Sequence, residues 1–302
     1  MKIVVTGGAG FIGSHLADKL IELGHRVIVI DNLSTGNIDN INYKAEFHQL
    51  DIGEDFARDV LKKLLKNVDY VFHLAANARV MECLENPFLA HDSNVAGTIN
   101  VLEACRKNDV KKIIHTSTCS VYGIPLEINM PITEVTKIDL VHTYGATKYM
   151  QEIYVDLFTK LYGLSSVILR YFNVYGTKRQ AETGAYPNVL AAFSRQKREF
   201  GKVFVTGDGE QTRDFVHVFD VVDANIKAME SDFKNAEIFN IGSGKRSTIN
   251  ELADRFDCEV EYIEPRPAEA RHLYSDCTKA KQSLNWEPTV PLKDGIDGYI
   301  NS

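Results

Sequence analysis

The sequence predicts an α/β fold built on a parallel sheet covered by helices on both faces, and three observations carry that expectation. Short β-branched runs alternate with longer stretches of helical periodicity. The short runs are continuously apolar, as strands buried on both faces are. A glycine-rich turn links the first run to the first periodic stretch, the order of a strand feeding a helix.

Taken in order, "KIVVT" (2–6) is a strand and "FIGSHLADKLIELG" (11–24) a helix stopped by Gly24. "RVIVID" (26–31) is the second strand, and further strands follow at 45–50, 69–75, 111–117 and 165–172. Helices are expected at about 54–66, 87–107 and 145–163. After Asn173 the texture changes. Residues 176–187 form a polar loop, and Gly and Pro cluster at 207–212, 242–247 and 264–270. The expected division is a large nucleotide-binding unit at 1–172 and a smaller substrate-binding region at 173–302. Residues 214–230 return to the large unit as a strand and a helix. No flexible linker separates the two.

The chain has 302 residues, of which 44% are apolar, enough for a large core. Its net charge of -7 leaves no electrostatic footprint for nucleic acid or an anionic membrane. Five cysteines, odd in number and without a CxxC pair, suggest neither a disulfide framework nor a zinc site, so no metal is expected. "MKIVVTGG" is too short an apolar run for a signal peptide, and no stretch approaches ~20 apolar residues. The expectation is a soluble, cytoplasmic protein.

"TGGAGFIG" places Gly7, Gly10 and Gly13 between the first strand and the first helix. Glycines there allow a tight turn, close main-chain approach to a pyrophosphate, and close packing of helix on strand. The helix N-terminus adds aligned N–H dipoles. Asp31 ends the next strand, where a carboxylate accepts both ribose hydroxyls of NAD and repels the extra phosphate of NADP. No arginine immediately follows it. The pattern predicts a Rossmann-type, doubly wound parallel sheet with NAD as cofactor. Asp51, in "LDI", has two readings: contact with the adenine edge, or a helix N-cap with Glu54 completing a capping box. "HLAANA" (73–78) offers small residues either for cofactor approach or for helix packing.

"YGATK" sets Tyr144 and Lys148 one helical turn apart on one face. A free tyrosine titrates near pH 10, too high for a base at neutral pH. A nearby ammonium and the positive nicotinamide ring lower it by stabilising phenolate. "HTSTCSVYG" (115–123) ends a strand in hydroxyls and a thiol, either turn residues or a catalytic floor.

"TGGAGFIGSHL", "DNLSTG", "LDI", "HLAA", "VYG", "YGATK", "RYFNVYG" and "GDGEQTRDFVHV" together resemble the extended short-chain dehydrogenase/reductases. Within them the chain is most similar to the nucleotide-sugar epimerases of the UDP-glucose 4-epimerase type, and the resemblance covers essentially its whole length. It implies a catalytic triad of Thr118, Tyr144 and Lys148. It implies NAD contacts from Gly7, Gly10, Phe11, Ile12, Gly13, Asp31, Asn32, Ser34, Thr35, Gly36, Asp51 and Ile52. Leu74, Ala75, Ala76, Asn94, Tyr144, Lys148 and Phe172 complete that set; core packing is an equal reading of Phe172. Substrate contacts are implied for Thr118, Tyr144, Asn173, Val189, Arg213, Arg266 and Glu269, the two arginines on the diphosphate.

Departures from the family pattern are informative. Dehydratases and decarboxylases of the family carry an acid after the threonine, whereas this chain reads Thr118-Cys119-Ser120. The extra acid–base chemistry is therefore missing. The 3,5-epimerising relatives place a cysteine at the slot of Ser120; Cys119 is one residue out of register and is read as packing. Leu273 takes the position that gates the sugar C2 substituent. The implied activity is nucleotide-sugar 4-epimerisation through a transient 4-keto sugar, on UDP-glucose/UDP-galactose or an N-acetyl or uronate analogue. A nucleotide-sugar reductase, an epimerase at another carbon such as C2, and a non-catalytic NAD-binding protein are the alternatives. The resemblance further implies a homodimer pairing helices around 92–106 and 145–161.

Overall fold

Valine and isoleucine dominate the first two apolar runs, and both become strands enclosed on either face. The computed structural model describes residues 1–180, 188–265 and 270–301. The first half contains β1 (Lys2–Thr6), α1 (Phe11–Glu22), β2 (Arg26–Asp31), β3 (Glu46–Gln49), α2 (Ala57–Leu64) and β4 (Tyr70–His73). It continues with α3 (Val80–Glu85), α4 (Pro87–Ala90), α5 (Gly97–Lys107), β5 (Lys112–Thr118), α6 (Thr143–Tyr162) and β6 (Ser166–Tyr171). Shorter elements follow: β7 (Val174–Tyr175), α7 (Val189–Phe200), β8 (Lys202–Thr206), β9 (Thr212–Arg213), β10 (Val216–His217) and α8 (Val218–Glu230). The last are β11 (Asn235–Ile241), β12 (Ser247–Thr248), α9 (Ile249–Asp254), β13 (Glu259–Ile263), β14 (His272–Leu273), α10 (Thr278–Leu284) and α11 (Leu292–Asn301).

Seven strands form one parallel sheet in the order β11-β6-β5-β4-β1-β2-β3. The chain starts at β1, runs outward through β2 and β3, then restarts on the other side of β1 with β4. Strand order reverses there, which opens a crevice at the carboxyl ends of β1 and β4. Leu16 and Leu20 of α1 and Val221 and Ala224 of α8 pack on one face. Leu61 of α2, Val101 and Leu102 of α5 and Val155 of α6 pack on the other. Truncating a fully buried leucine such as Leu16 to alanine costs about 2–5 kcal/mol.

Three details differ from the sequence expectation. The helix expected at 87–107 is broken into α4, a π-helical segment at His91–Ala96, and α5. In that segment Asn94 turns inward to bond Asn77, and Gln151 takes its carbonyl oxygen. Such π segments recur where a helix must aim a side chain. Helix α2 starts at Ala57, later than the expected 54. In 214–230, α8 does pack on the sheet beside α1, but the strand β10 pairs with β7 outside it. The strand that joins the large sheet is β11, alongside β6.

In the smaller region Phe193, Val203, Val205, Leu252, Phe256 and Tyr299 form a separate core. A further cluster, Cys119, Val121, Tyr122, Ile132, Phe172 and Leu273, ties β14 to the ends of β5 and β6. Among the described residues no helix is long and apolar enough to cross a membrane.

Candidate active site

A cavity of about 570 Å³ occupies the crevice that the strand order opens. Its wall includes Gly7, Gly10, Phe11, Ile12 and Gly13 at one end and Thr116 to Ser120, Tyr144, Lys148, Phe172 and Asn173 at the other. The run of hydroxyls and a thiol is thus a floor.

At the first end the wall is main chain. A Cβ on Gly13 would lie 2.2 Å from the Gly7 carbonyl oxygen, so α1 meets the turn at a distance no side chain permits. Gly10 caps α1 without any side-chain hydrogen bond, leaving the first N–H groups of the helix for a ligand. Asp31 is buried at the end of β2, accepting from Ala9 N at 3.0 Å and Leu33 N at 2.8 Å. It also faces the cavity with Asn32, Ser34 and Thr35. Glycine turn, open helix end and carboxylate fit a dinucleotide of the NAD type.

Asp51 settles between its two readings. It is not a helix N-cap, because Phe56 occupies that position. Its carboxylate instead accepts from Gly53 N at 2.9 Å and Asn32 Nδ2 at 2.8 Å, with Ile52 beside it on the wall. Leu74, Ala75 and Ala76 line the middle of the cavity. Gly36 and Asn94 stand behind the wall. Gly36 packs against Ala9 and Asp31. Buried Asn94 holds the main chain of Asn77, a wall residue, by accepting from its N–H at 2.7 Å and donating to its carbonyl at 3.1 Å.

At the second end the wall is side chains from separate elements. His142 caps α6, accepting from Gly145 N at 3.0 Å. The missing Cβ of Gly145 lets the helix approach Ser120, whose carbonyl would lie 2.9 Å from that Cβ. This contact sets Tyr144 beside Thr118, and Lys148 lies one turn on, 2% exposed. Burial raises the Tyr144 phenol above its ordinary value, and the Thr118 hydroxyl pulls against it. Burial also lowers Lys148 to about 7, opposed by the carboxylate of Glu152. The expected lowering of the Tyr144 phenol calls on the Lys148 ammonium and the nicotinamide ring together; in the chain itself, burial opposes both charges. Cys119 is buried, its thiol pushed up to about 12 by desolvation, which fits packing and not reactivity.

Phe172 is fully buried and serves both readings, joining the core cluster while lining the cavity. Asn173 donates to the Asp214 carbonyl at 2.8 Å from the cavity wall. Val189 opens α7 and packs on the smaller core; its neighbour Asn188, not Val189, reaches the wall. Arg213 donates to its neighbour Thr212's carbonyl at 2.9 Å and lies close enough to Cys119 to offset its thiol's rise. Leu273 sits one layer behind the wall, against Phe172. Arg266 and Glu269 lie outside the described residues. A second cavity, about 280 Å³, is lined by Thr206, Gly207, Asp208, Gln211, Pro265, Ala270 and Arg271.

Sequence reasoning missed several groups. Glu82, Ser93 and Gln180 line the cavity. Asp214, fully buried, accepts from the main chain of Ser243, Gly244 and Ser275 and so ties those segments together behind the cavity-wall residue Asn173. An acid inside the apolar run "RDFVHV" was the available signal, since a charge there needs partners.

A site of this form, with a glycine cradle at a strand-order switch and a Tyr–Lys pair over a hydroxyl floor, defines a dinucleotide-dependent enzyme of the short-chain dehydrogenase/reductase type. The sequence profile of the NAD dependent epimerase/dehydratase family matches residues 3–242, and the chain belongs to that family. It is 44% identical to a putative UDP-glucose 4-epimerase of Methanocaldococcus jannaschii, over 99% of this chain and 97% of the other. The crystal structure of a UDP-glucose 4-epimerase from Thermotoga maritima with UDP-glucose superimposes with a TM-score of 0.94 at 40% identity, covering 100% of this chain and 98% of that one. A UDP-N-acetylglucosamine 4-epimerase from Methanobrevibacter ruminantium, in complex with UDP-N-acetylmuramic acid, gives 0.92 at 35%, covering 99% and 97%.

Proposed function

We propose that this chain is an NAD-dependent nucleotide-sugar 4-epimerase acting on UDP-glucose/UDP-galactose or an N-acetyl or uronate analogue. The observation that carries the reading is the convergence of Thr118, Tyr144 and Lys148 on the cavity that also holds the glycine cradle. Gly7, Gly10, Phe11, Ile12, Gly13 and Asp31 would hold the cofactor. When bound, NAD supplies a hydride acceptor and a positively charged ring at the Tyr144 end.

The chain's own residues manage the proton and the sugar. Tyr144 takes the C4 hydroxyl proton and later returns it, with Lys148 supplying positive charge one turn away. Thr118 orients that hydroxyl with Tyr144. Arg213 and Arg266 hold the diphosphate, while Asn173 and Glu269 contact the rest of the nucleotide sugar, with Asn188 in the place expected of Val189. Positions 119 and 120 carry no carboxylate, so the floor lacks the acid that dehydration or decarboxylation requires. A site that anchors the diphosphate while the 4-keto sugar turns yields both epimers.

The same reading includes a homodimer. Met150, Ile153, Leu157 and Leu161 form an exposed apolar stripe along α6. Leu84, Phe88 and Leu89 of the adjoining α3 and α4 are exposed as well. A second copy covers this face, and Leu157→Asp is expected to yield monomers by sedimentation.

The test is incubation with UDP-galactose, UDP-N-acetylgalactosamine and UDP-galacturonate separately, without added NAD, followed by NMR. Appearance of the C4 epimer supports the reading, and the preferred donor identifies the sugar. No conversion of any of them, even after NAD is added, would reject it.

A further inference from the structure

Behind the reaction site lies a buried ion pair with no part in the steps above. Glu152 and Arg170 are 3% and 2% exposed. Arg170 grips the carboxylate with two bonds, Nε to Oε1 at 2.9 Å and Nη2 to Oε2 at 2.6 Å. Ser117 Oγ donates to the same Oε1. Arg170 Nη1 also donates to Tyr122 Oη at 2.8 Å, and that hydroxyl donates to Asn240 Oδ1 at 2.7 Å.

Such a pair is a poor device for stability alone, because desolvating both ions offsets most of their attraction. Its placement points to another use. Glu152 lies one helical turn beyond Lys148 on α6, the spacing at which side chains are neighbours. Ser117 immediately precedes Thr118 on β5, and Arg170 precedes Tyr171 and Phe172 of the cavity wall. One carboxylate thus ties β5 and α6, which carry the reacting groups, to β6, which leads into Phe172 of the wall.

We propose that Glu152, clamped by Arg170 and Ser117, is a positioning residue that keeps Lys148 charged beside Tyr144. The proposal rests on the role given to Lys148 above. The surroundings show why such help is needed. His73 of β4 and His115 of β5 are fully enclosed near Lys148, and burial keeps both neutral. Neither ring nitrogen of His115 has a hydrogen-bond partner among the described residues. The other titratable groups on elements packed against α6 supply no second anion at this point. Tyr144 and Tyr122 have raised phenols, Cys83 a raised thiol, and Glu82, on the cavity wall from α3, lies 3.8 Å from the Arg79 guanidinium. Glu103 pairs with Arg106, Glu237 pairs with Lys279, and His91 and Asp92 face solvent.

The experiment is the titration of Lys148 in Glu152→Gln, read by NMR of lysine-labelled protein with the signal assigned through Lys148→Met. Removing an anion at this spacing is expected to lower the lysine pKa by about one unit or more. Lys148 must hold its proton to act, so activity is lost as pH rises through its pKa. The alkaline limb of kcat should therefore move to lower pH by the same amount. Glu152→Gln leaves Arg170 buried without its partner, so Arg170→Gln, which frees the Glu152 anion to act on Lys148 and should raise its pKa, is measured in parallel, and whichever variant folds by circular dichroism decides. An unmoved Lys148 titration in a folded variant, with activity tracking only the folded fraction, overturns the proposal. Lys148→Met tests the underlying reading separately: if it epimerises at the wild-type rate, the role of Lys148 fails, whatever the titration shows.

Discussion

At the cofactor end of the cavity the wall is main chain, whereas at the catalytic end it is side chains. The first end is a single turn, Gly7 to Gly13, whose geometry depends on atoms that are absent. The second end depends on β5, α6 and β6 meeting in one register, through Gly145 against Ser120 and Glu152 against Ser117 and Arg170. The contrast teaches that a binding site for a large, rigid phosphate group can be built locally. Chemistry at one hydroxyl needs groups imported from distant segments and held in a dry place, where burial works against their charges.

Substitutions at the two ends should therefore fail differently. The largest effect is expected for Tyr144→Phe, which removes the proton acceptor and should cut kcat by about 10²–10⁴-fold while leaving retained NAD unchanged. Near wild-type turnover in that variant would break the division between the ends. Gly13→Val acts at the other end. Its side chain cannot fit 2.2 Å from the Gly7 oxygen, and about 1–3 kcal/mol of overpacking should release most of the bound NAD, measured by absorbance of the cofactor freed on denaturation. Asp31→Asn is milder. Losing the charge from the ribose hydrogen bonds should weaken NAD by about 1.5–3 kcal/mol and narrow its preference over NADP, read by calorimetry with each cofactor.

The smallest effect sharpens the comparison within the catalytic floor. With its thiol pushed up to about 12, Cys119 stays protonated at pH 8 and should resist alkylation in the folded protein, as mass spectrometry would show. Cys119→Ala should cost about 1–2 kcal/mol in stability from the lost packing and leave the substrate preference intact. Rapid labelling at pH 8 would instead make the thiol part of the chemistry.

Much of the first end was legible in "TGGAGFIG" and Asp31, because turn, helix start and carboxylate are neighbours in sequence. Tyr144 and Lys148 were legible for the same reason, being one helical turn apart. Asp51 was ambiguous, since the pattern Asp51–Glu54 suits a capping box as well as a ligand; only the later start of α2 decides. The inward turn of Asn94 was hidden inside what reads as one continuous helix. Strand β11 was overlooked because Asn235, Glu237 and Asn240 break the apolar continuity that marks the central strands.

The sequence by itself determined the parallel α/β architecture, the dinucleotide cradle, the Tyr–Lys pair and the absence of a floor carboxylate, all of which rest on residue types at short range. The family resemblance added Thr118. Only the tertiary structure decided that Thr118 lies beside Tyr144, and that Cys119 is buried against a core cluster under the floor. It also decided that Lys148 is buried, where desolvation works against its charge and the Glu152 carboxylate works for it. Electrostatics and burial are set by what the fold brings around a group, and those neighbours lie on strands and helices far apart in the chain.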